Sequence, residues 1–179
     1  MQSSRRMNTS QRQQLSTKVI NTLDTRLIPS ANRVLDACRR EEIPIALVWG
    51  RRTILEQNLL FRHGRTIPGD VLTTHRGGYS AHNYGLALDY CLHKQNQLIG
   101  WEDAYEIEHW HKQWLRIGRL FESEGWVSKW RSYDFEPGHV ENLLGKTIGQ
   151  LYAERRQAED RDLWDTYLGE PDSDQDFYL

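Results

Sequence analysis

The sequence has little cysteine, no strong excess of charge and no long apolar run, and each absence excludes a class of protein. Only two of its 179 residues are cysteines, Cys38 and Cys91, and they lack the CxxC spacing of metal and redox motifs. Both lie in apolar segments, which predicts two buried free thiols rather than a disulfide. The net charge of −2 excludes the basic field with which proteins hold nucleic acids.

No stretch is apolar for long enough to cross a bilayer, and no apolar run follows Arg5 and Arg6 as it would in a secretory leader. We therefore expect a protein that is made in the cytoplasm and does not insert into a membrane. We also expect it to be a monomer. The 38% of hydrophobic residues and the seven tryptophans are enough for one domain with a buried core. We assign residues 1–150 to this domain, and residues 151–179 to a charged helix and an acidic tail.

Hydrophobic periodicity predicts helices that alternate with short strands. The helices are expected over residues 11–26, 29–42, 53–61 and 104–124, and the strands over 45–49, 86–92, 126–127 and 139–141. In the third helix, Leu55, Leu59 and Leu60 are the expected inward positions. Asp89 falls in the middle of the second strand, where a buried carboxylate needs a partner. The pattern predicts an α+β fold, with a small antiparallel sheet and helices packed on one side.

Two segments carry the chemistry, residues 80–89 (SAHNYGLALD) and residues 136–139 (EPGH). Together they supply two imidazoles, one ligating carboxylate and one further carboxylate, which are the parts of a hydrolytic zinc site with an open coordination position. His82 lies in a turn and Asp89 in the strand that follows, so both can converge on one ion. His139, from a neighbouring strand, is the expected third ligand.

Two further residues of these segments have expected roles. Gly85 permits a close approach between the turn that carries His82 and the strand that carries Asp89. Glu136 is the expected general base, because it can lie beside the attacking water without ligating the metal. The other histidines lie outside both segments and are not expected to be ligands; they are His63, His75, His93, His109 and His111.

These residues resemble the motifs of the M15 family of zinc peptidases, which includes D-alanyl-D-alanine carboxypeptidases, D-Ala-D-Ala dipeptidases and phage L-alanyl-D-glutamate endolysins. The family pattern SxHxxGxAxD is present in full at residues 80–89, and the pattern Glu/Asp-x-x-His at residues 136–139. The resemblance covers residues 25–142. It implies a hedgehog-like peptidase fold and a Zn²⁺ ion bound by His82, Asp89 and His139.

The resemblance extends upstream, to residues 48–53 (VWGRRT) and Gln57, which are similar to the family's Gly-x-Arg-Ser/Thr turn and the Gln that follows it. In the family, the arginine of this turn holds the substrate carbonyl or the developing oxyanion, a role that suits a planar guanidinium. The resemblance implies this role for Arg52, with Arg51 as the alternative. Gln57 and Ser80 are expected to support the ligands or to contact the substrate.

Two segments depart from the family pattern. Many relatives carry proline directly before the last histidine, whereas Pro137 lies one position earlier. The Trp-Gly-Gly-x-Trp of many members is replaced by residues 126–130 (WVSKW), which predicts a different wall beside the substrate.

The resemblance implies a zinc-dependent peptidase that hydrolyses an amide bond in the stem peptide of peptidoglycan. The small size and the lack of a leader or a wall-binding repeat favour a phage-type L-alanyl-D-glutamate endopeptidase, which a separate holin releases to the cell wall. A D-alanyl-D-alanine carboxypeptidase is the alternative within this class. The alternative from another class is a non-catalytic module on the same fold that binds zinc or the cell wall.

Overall fold

The computed structural model describes residues 9–94, 97–100, 107–128 and 138–167. The chain divides into two units, Met1–Gly145 and Lys146–Leu179. In the first unit the helices are α1 (Thr9–Ile20), α2 (Ile28–Arg40), α3 (Ile54–Arg62), a short 3₁₀ helix (Ala81–Tyr84) and α4 (Glu108–Ser123). Its strands are β1 (Ile45–Trp49), β2 (Ala87–Lys94), β3 (Gln97–Ile99), β4 (Val127–Ser128) and β5 (His139–Glu141).

The strands form one antiparallel sheet in the order β1-β2-β5-β4, with β3 paired to the end of β2. The central strand β2 therefore has β1 on one edge and β5 on the other. In the register, Asp89 is the partner of Trp49 on β1 and of His139 on β5. The sheet thus joins segments that lie far apart in the sequence, and it confirms the predicted α+β class.

Helix α4 covers the face of the sheet to which Tyr90 belongs. The Tyr90 ring lies 5.3 Å from the ring of Trp114 and 5.7 Å from that of Phe121, measured between centroids. Both helix residues are fully buried, as are Leu88 and Leu92, which lie two positions before and after Tyr90 on β2 and share its face. Because successive strand residues point to opposite faces, Asp89 is on the other face. Core packing thus occupies the Tyr90 face of β2, and the other face carries Asp89 between the buried Ala87 and Cys91.

The structure differs from the sequence predictions at α1 and α3. Helix α1 ends at Ile20 rather than near residue 26, and the following turn is closed by a hydrogen bond from the Thr22 hydroxyl to the Val19 carbonyl at 2.7 Å. In α3 the predicted inward leucines are wrong, since Leu55 is 69% exposed and Leu59 is 43% exposed. Leu60 is only partly buried, and the fully buried residue of this helix is Gln57.

The other predicted elements agree with the structure within a few residues wherever they are described; residues 104–106 of the predicted fourth helix lie outside the described residues. Cys38 and Cys91 are buried free thiols, as predicted. Burial raises the pKa of each thiol to about 12.

The second unit contains helix α5 (Ile148–Tyr167), which the charge-rich sequence predicted. Lys146 pairs with Glu154 at 2.6 Å near the start of this helix. Across the described parts of both units, no helix combines the length and the apolar character that crossing a membrane requires.

Candidate active site

Three side chains from three different elements meet on the face of β2 that carries Asp89. His82 comes from the 3₁₀ helix, Asp89 from the middle of β2, and His139 from the first position of β5. Because Asp89 and His139 are directly paired in the ladder, their side chains leave the sheet side by side. In the part of the chain that the structure describes, they form the one group of at least three His, Cys, Asp or Glu residues that could hold a metal ion.

The three donor atoms form a nearly equilateral triangle. The His82 Nε2 atom lies 3.2 Å from His139 Nδ1 and 3.3 Å from Asp89 Oδ1, and the third edge, from His139 Nδ1 to Asp89 Oδ1, is 3.0 Å. Ligands placed at about 2.0–2.1 Å around a tetrahedral zinc are about 3.3 Å apart. The spacing and the donor types, two nitrogens and one carboxylate, therefore fit zinc with a fourth position left open.

Backbone contacts determine how His82 faces the site. Its Nδ1–H donates to the Gly50 carbonyl at 2.7 Å, so Nε2 carries the free lone pair and faces the other two ligands. The imidazole is only 2% exposed, which leaves it little freedom to turn. A ligand with a fixed tautomer and a fixed ring plane loses little conformational entropy when it binds a metal.

His139 is held by a residue that the sequence analysis missed. Its Nε2 atom lies 3.3 Å from Oε2 of Glu141, while its Nδ1 atom faces the site. Glu141 is two residues further along β5, and strand alternation places residues i and i+2 on one face. The spacing of two residues between His139 and Glu141 was the feature of the sequence that could have predicted this contact. The carboxylate contacts the ring nitrogen that faces away from the site, as the outer partners of metal-ligating histidines usually do.

The carboxyl of Asp89 is ionised at neutral pH. Burial by itself would raise its pKa, but hydrogen bonding with His139 and His82, and then the charges of these two residues, outweigh burial and hold the pKa well below the usual value. A buried carboxylate needs partners, and the structure supplies several. Asp89 is therefore available as an anionic ligand without a proton to displace.

Arg52 lies beside the three candidate ligands. Its Nη2–H donates to Oδ2 of Asp89 at 2.6 Å, and its Nη2 atom is 3.2 Å from Nε2 of His82. Its Nη1–H donates to Oε1 of Gln57 at 3.2 Å. The Nε–H is buried, and none of the described residues accepts a hydrogen bond from it. Gln57 and Asp89 thus hold the two terminal nitrogens of the guanidinium.

Gln57 is the residue that orients Arg52. Its side chain is fully buried, and its amide donates to the carbonyl of His75 at 2.7 Å and to the Thr73 hydroxyl at 3.2 Å. With those two donors used, its oxygen faces Arg52. Because these hydrogen bonds satisfy the amide, it is stable when buried, and α3 can turn this polar residue inward.

The structure distinguishes the two arginines of the turn. The Arg51 side chain is exposed, and its backbone N–H donates to the Thr22 hydroxyl at 2.9 Å. Arg52 is partly buried, and its backbone N–H donates to the His82 carbonyl at 3.0 Å. Thr53 then starts α3 with a capping box shared with Glu56. Arg52 is therefore the arginine that the structure brings to the ligands.

Asn83 is a second residue that sequence reasoning missed. It is buried, and its amide donates to the carbonyls of Arg52 at 3.1 Å and Thr53 at 3.3 Å, while its side-chain oxygen accepts from the Gly78 N–H at 2.9 Å. It joins the arginine turn to the 3₁₀ helix. Its position next to His82 was the only signal. Ser80 caps the same helix through its backbone, since its carbonyl accepts from the Asn83 N–H at 2.9 Å.

Gly85 acts differently from the expectation. It ends the 3₁₀ helix with a φ of +69°, in the left-handed region that favours glycine. The backbone it approaches is that of residues 22–24, because a Cβ at this position would lie 2.9 Å from the Asp24 nitrogen and 3.0 Å from the Thr22 oxygen. The glycine is thus needed to pack the turn on the loop after α1 rather than to bring His82 close to Asp89.

Gly138 explains the shifted proline. Its φ is +87°, which proline cannot adopt, and its carbonyl accepts from the Tyr90 N–H at 2.7 Å. Glycine before His139 therefore keeps β5 against β2. Glu136 and residues 129–130 of the predicted substrate wall lie outside the described residues, so the structure does not place the expected general base.

Comparisons with known proteins agree with this geometry. A family profile described as D-alanyl-D-alanine carboxypeptidase matches residues 73–141, which contain the three candidate ligands. The chain is 32% identical over 117 residues to the peptidoglycan L-alanyl-D-glutamate endopeptidase CwlK of Bacillus subtilis strain 168, a match that covers 64% of this chain and 70% of the relative.

One solved structure shows the same fold, and a second match is weaker. The chain is similar to the LdcB LD-carboxypeptidase, with a TM-score of 0.53 and 17% identity over 74% of this chain. The match spans 64% of the LdcB chain, slightly less than two thirds. The L-Ala D-Glu endopeptidase ChiX of Serratia marcescens matches with a TM-score of 0.46 and 17% identity, over 73% of this chain and 87% of that one. The similarity to LdcB shows a shared fold and nothing more.

Proposed function

Because the chain belongs to the M15 peptidase family, we propose that it is a zinc-dependent peptidase that hydrolyses an amide bond in the stem peptide of peptidoglycan. The observation that carries the proposal is the triangle of donor atoms from His82, Asp89 and His139, with the Arg52 guanidinium against it. A metal site with an open position and an adjacent fixed cation is suited to the hydrolysis of an amide.

The protein would hold the metal through the imidazoles of His82 and His139 and the carboxylate of Asp89. When bound there, zinc supplies Lewis acidity that polarises a carbonyl group and makes water more acidic. His82 and His139 keep their lone pairs on the site because Gly50 and Glu141 hold the opposite ring nitrogens. Asp89 stays ionised for the reasons given above, so the site carries one negative charge from its ligands.

Arg52 is proposed to hold the substrate carbonyl during attack. Its guanidinium carries five N–H donors, of which Asp89 and Gln57 accept two, and a substrate oxygen is a suitable acceptor for another. The positive charge is already oriented by Asp89 and Gln57, so it need not reorganise when negative charge develops on that oxygen. Preorganised donors of this kind supply a large part of the rate enhancement in hydrolases.

Glu136 is proposed as the general base that takes a proton from the attacking water and passes it to the leaving amine. The support is its spacing of three residues before His139, which agrees with the family pattern. Glu136→Ala is expected to abolish turnover while zinc remains bound. Hydrolysis at the wild-type rate by this variant would remove Glu136 from the role.

For the bond that is cleaved, we propose the one between L-alanine and D-glutamate. The support is the identity to the Bacillus subtilis endopeptidase, which extends well beyond the motifs. The second candidate is a D-alanyl-D-alanine carboxypeptidase, because the matching family profile carries that description. The two activities act at opposite ends of the stem peptide.

Purified muropeptides with a pentapeptide stem, incubated with the zinc-loaded protein and examined by mass spectrometry, separate these candidates. Release of the stem beyond L-alanine is expected. Loss of a single terminal D-alanine would instead show carboxypeptidase activity and contradict the proposed endopeptidase activity. A chelated sample is the control and should give neither product. A protein that holds zinc and binds the stem but cleaves nothing would be the non-catalytic module.

A further inference from the structure

Trp49, the last residue of β1, has an exposed side chain beside the candidate active site. Trp49 is 55% exposed, whereas Ala46 and Leu47 of the same strand are completely buried. A large aromatic side chain that remains exposed next to a site of polar, nearly buried groups has apolar surface that a bound molecule could cover.

The sheet register places Trp49 in line with two of the metal ligands. The ladder between β1 and β2 is irregular between Leu47 and Trp49, and the irregularity brings Trp49 opposite Asp89. Asp89 is in turn opposite His139. Directly opposed residues of antiparallel strands share a face, so Trp49, Asp89 and His139 form a row across the site. Irregularities of this kind are common next to active sites, where they redirect a side chain.

The backbone around Trp49 is tied to the first ligand. The carbonyl of Gly50, the next residue, accepts the hydrogen bond from Nδ1 of His82 at 2.7 Å, and the Arg52 N–H donates to the His82 carbonyl at 3.0 Å. The guanidinium carbon of Arg52 lies 5.7 Å from the centre of the indole ring. The indole is therefore held beside the cation that is proposed to bind the substrate carbonyl.

We propose that Trp49 contacts the substrate, and that its indole packs on the aliphatic groups of the stem peptide next to the scissile amide. This inference rests on the proposed function and names a further residue of that same site. Stem residues carry methyl and methylene groups beside their amides, and an indole face covers such groups while the ring edge leaves the carbonyl free for Arg52. Covering the flank of the site also excludes water from the Arg52–Asp89 pair, which strengthens its field.

The test compares wild-type protein with Trp49→Ala, Trp49→Phe and the control Ile107→Ala, all loaded with zinc. Ile107 is also a half-exposed apolar residue, but it immediately precedes helix α4, which packs on the opposite face of the sheet. Steady-state kinetics on a stem-peptide muropeptide gives KM and kcat, calorimetry gives the Kd of the same muropeptide, and metal analysis gives the zinc content.

Trp49→Ala is expected to raise KM and Kd about tenfold with kcat within about twofold, as for the loss of part of an apolar contact. Trp49→Phe should recover most of the loss, and Ile107→Ala should match wild type. Unchanged KM and Kd in Trp49→Ala would overturn the assignment, and so would loss of zinc from both Trp49 variants, which would make the residue a support for the ligands.

The kinetic and binding measurements keep this inference separate from the proposed function. A wild-type protein that binds the muropeptide without cleaving it overturns the proposed hydrolysis alone, and the Kd values then still decide the role of Trp49. A wild-type protein that neither binds nor cleaves the muropeptide overturns both. Cleavage by wild type with equal constants in Trp49→Ala overturns the role of Trp49 alone.

Discussion

The Nη2 atom of Arg52 lies 2.6 Å from Oδ2 of Asp89, so the cation of the site touches the carboxylate whose other oxygen faces the two histidines. Thirty-seven positions separate the two residues in the sequence. Their contact joins the turn before α3 to the centre of the sheet. One carboxylate thereby organises both the candidate metal ligands and the candidate electrophilic group.

Replacement of Arg52 tests its proposed role directly. Arg52→Ala should lower kcat/KM on the cleaved muropeptide by about 10²–10³-fold, as for the loss of one preorganised donor in a hydrolase. Arg52→Lys should recover little, because an ammonium cannot reach Asp89 and Gln57 with the geometry of a planar guanidinium. Arg51→Ala is the matched control and should stay within about twofold of wild type. Equal losses in the Arg51 and Arg52 variants would contradict this assignment.

Removal of zinc tests the ligand set. Because a ligand that binds only the folded chain stabilises it, saturating the metal-free protein with zinc should raise Tm, by the equivalent of about 2.7 kcal/mol at a hundredfold excess over Kd. Differential scanning calorimetry with and without zinc measures this shift. Asp89→Ala should abolish it, whereas His109→Ala, which removes an exposed histidine of α4, should keep it. A full shift in Asp89→Ala would exclude Asp89 as a ligand.

Glu141 should control the affinity for zinc through His139. Glu141→Ala is expected to weaken zinc binding about 10–100-fold, because the ring of His139 loses the acceptor that orients it. Glu141→Gln keeps an oxygen in place and should recover part of this loss. Competition with a chromophoric chelator measures the zinc Kd of each variant, with Glu154→Ala in the second unit as the control. Equal zinc affinity in Glu141→Ala and wild type would limit Glu141 to a structural role.

His93 should make the stability of the fold depend on pH. Burial, and then the charge of Arg12, lower the pKa of His93 from 6.5 to about 4 in the folded chain. Between these values the unfolded chain binds the extra proton, so the free energy of unfolding falls as the pH decreases from about 6.5 and levels off below about 4. Above pH 6.5 the contribution is constant.

Urea unfolding of wild type and His93→Gln at a series of pH values checks this prediction. The difference in unfolding free energy between the two proteins should be flat above pH 7 and should change in favour of the variant between pH 6.5 and 4. A difference that stays constant over this range would mean that His93 is protonated equally in both states.

The elements of the fold were largely predictable from local patterns. The strands β1 and β2 lie in mostly apolar segments that follow proline or glycine, and periodicity located α2 and α4. The prediction failed for α3, where Leu55 and Leu59 are exposed and Gln57 is buried. Apolar spacing could not reveal this, because the burial of Gln57 is set by Arg52, Thr73 and His75, all outside the helix.

What the sequence by itself determined was the chemistry of the site, because zinc accepts few kinds of ligand and the motif spacing matches that requirement. Only the tertiary structure decided how those groups are used. The pairing of β2 with β5 put Asp89 beside His139 and brought in Glu141, and the hydrogen bonds to His82 turned Arg52 inward while Arg51 remained exposed. Residue types fix which atoms can bind a metal, but backbone pairing between distant segments decides which of them come within reach of one another.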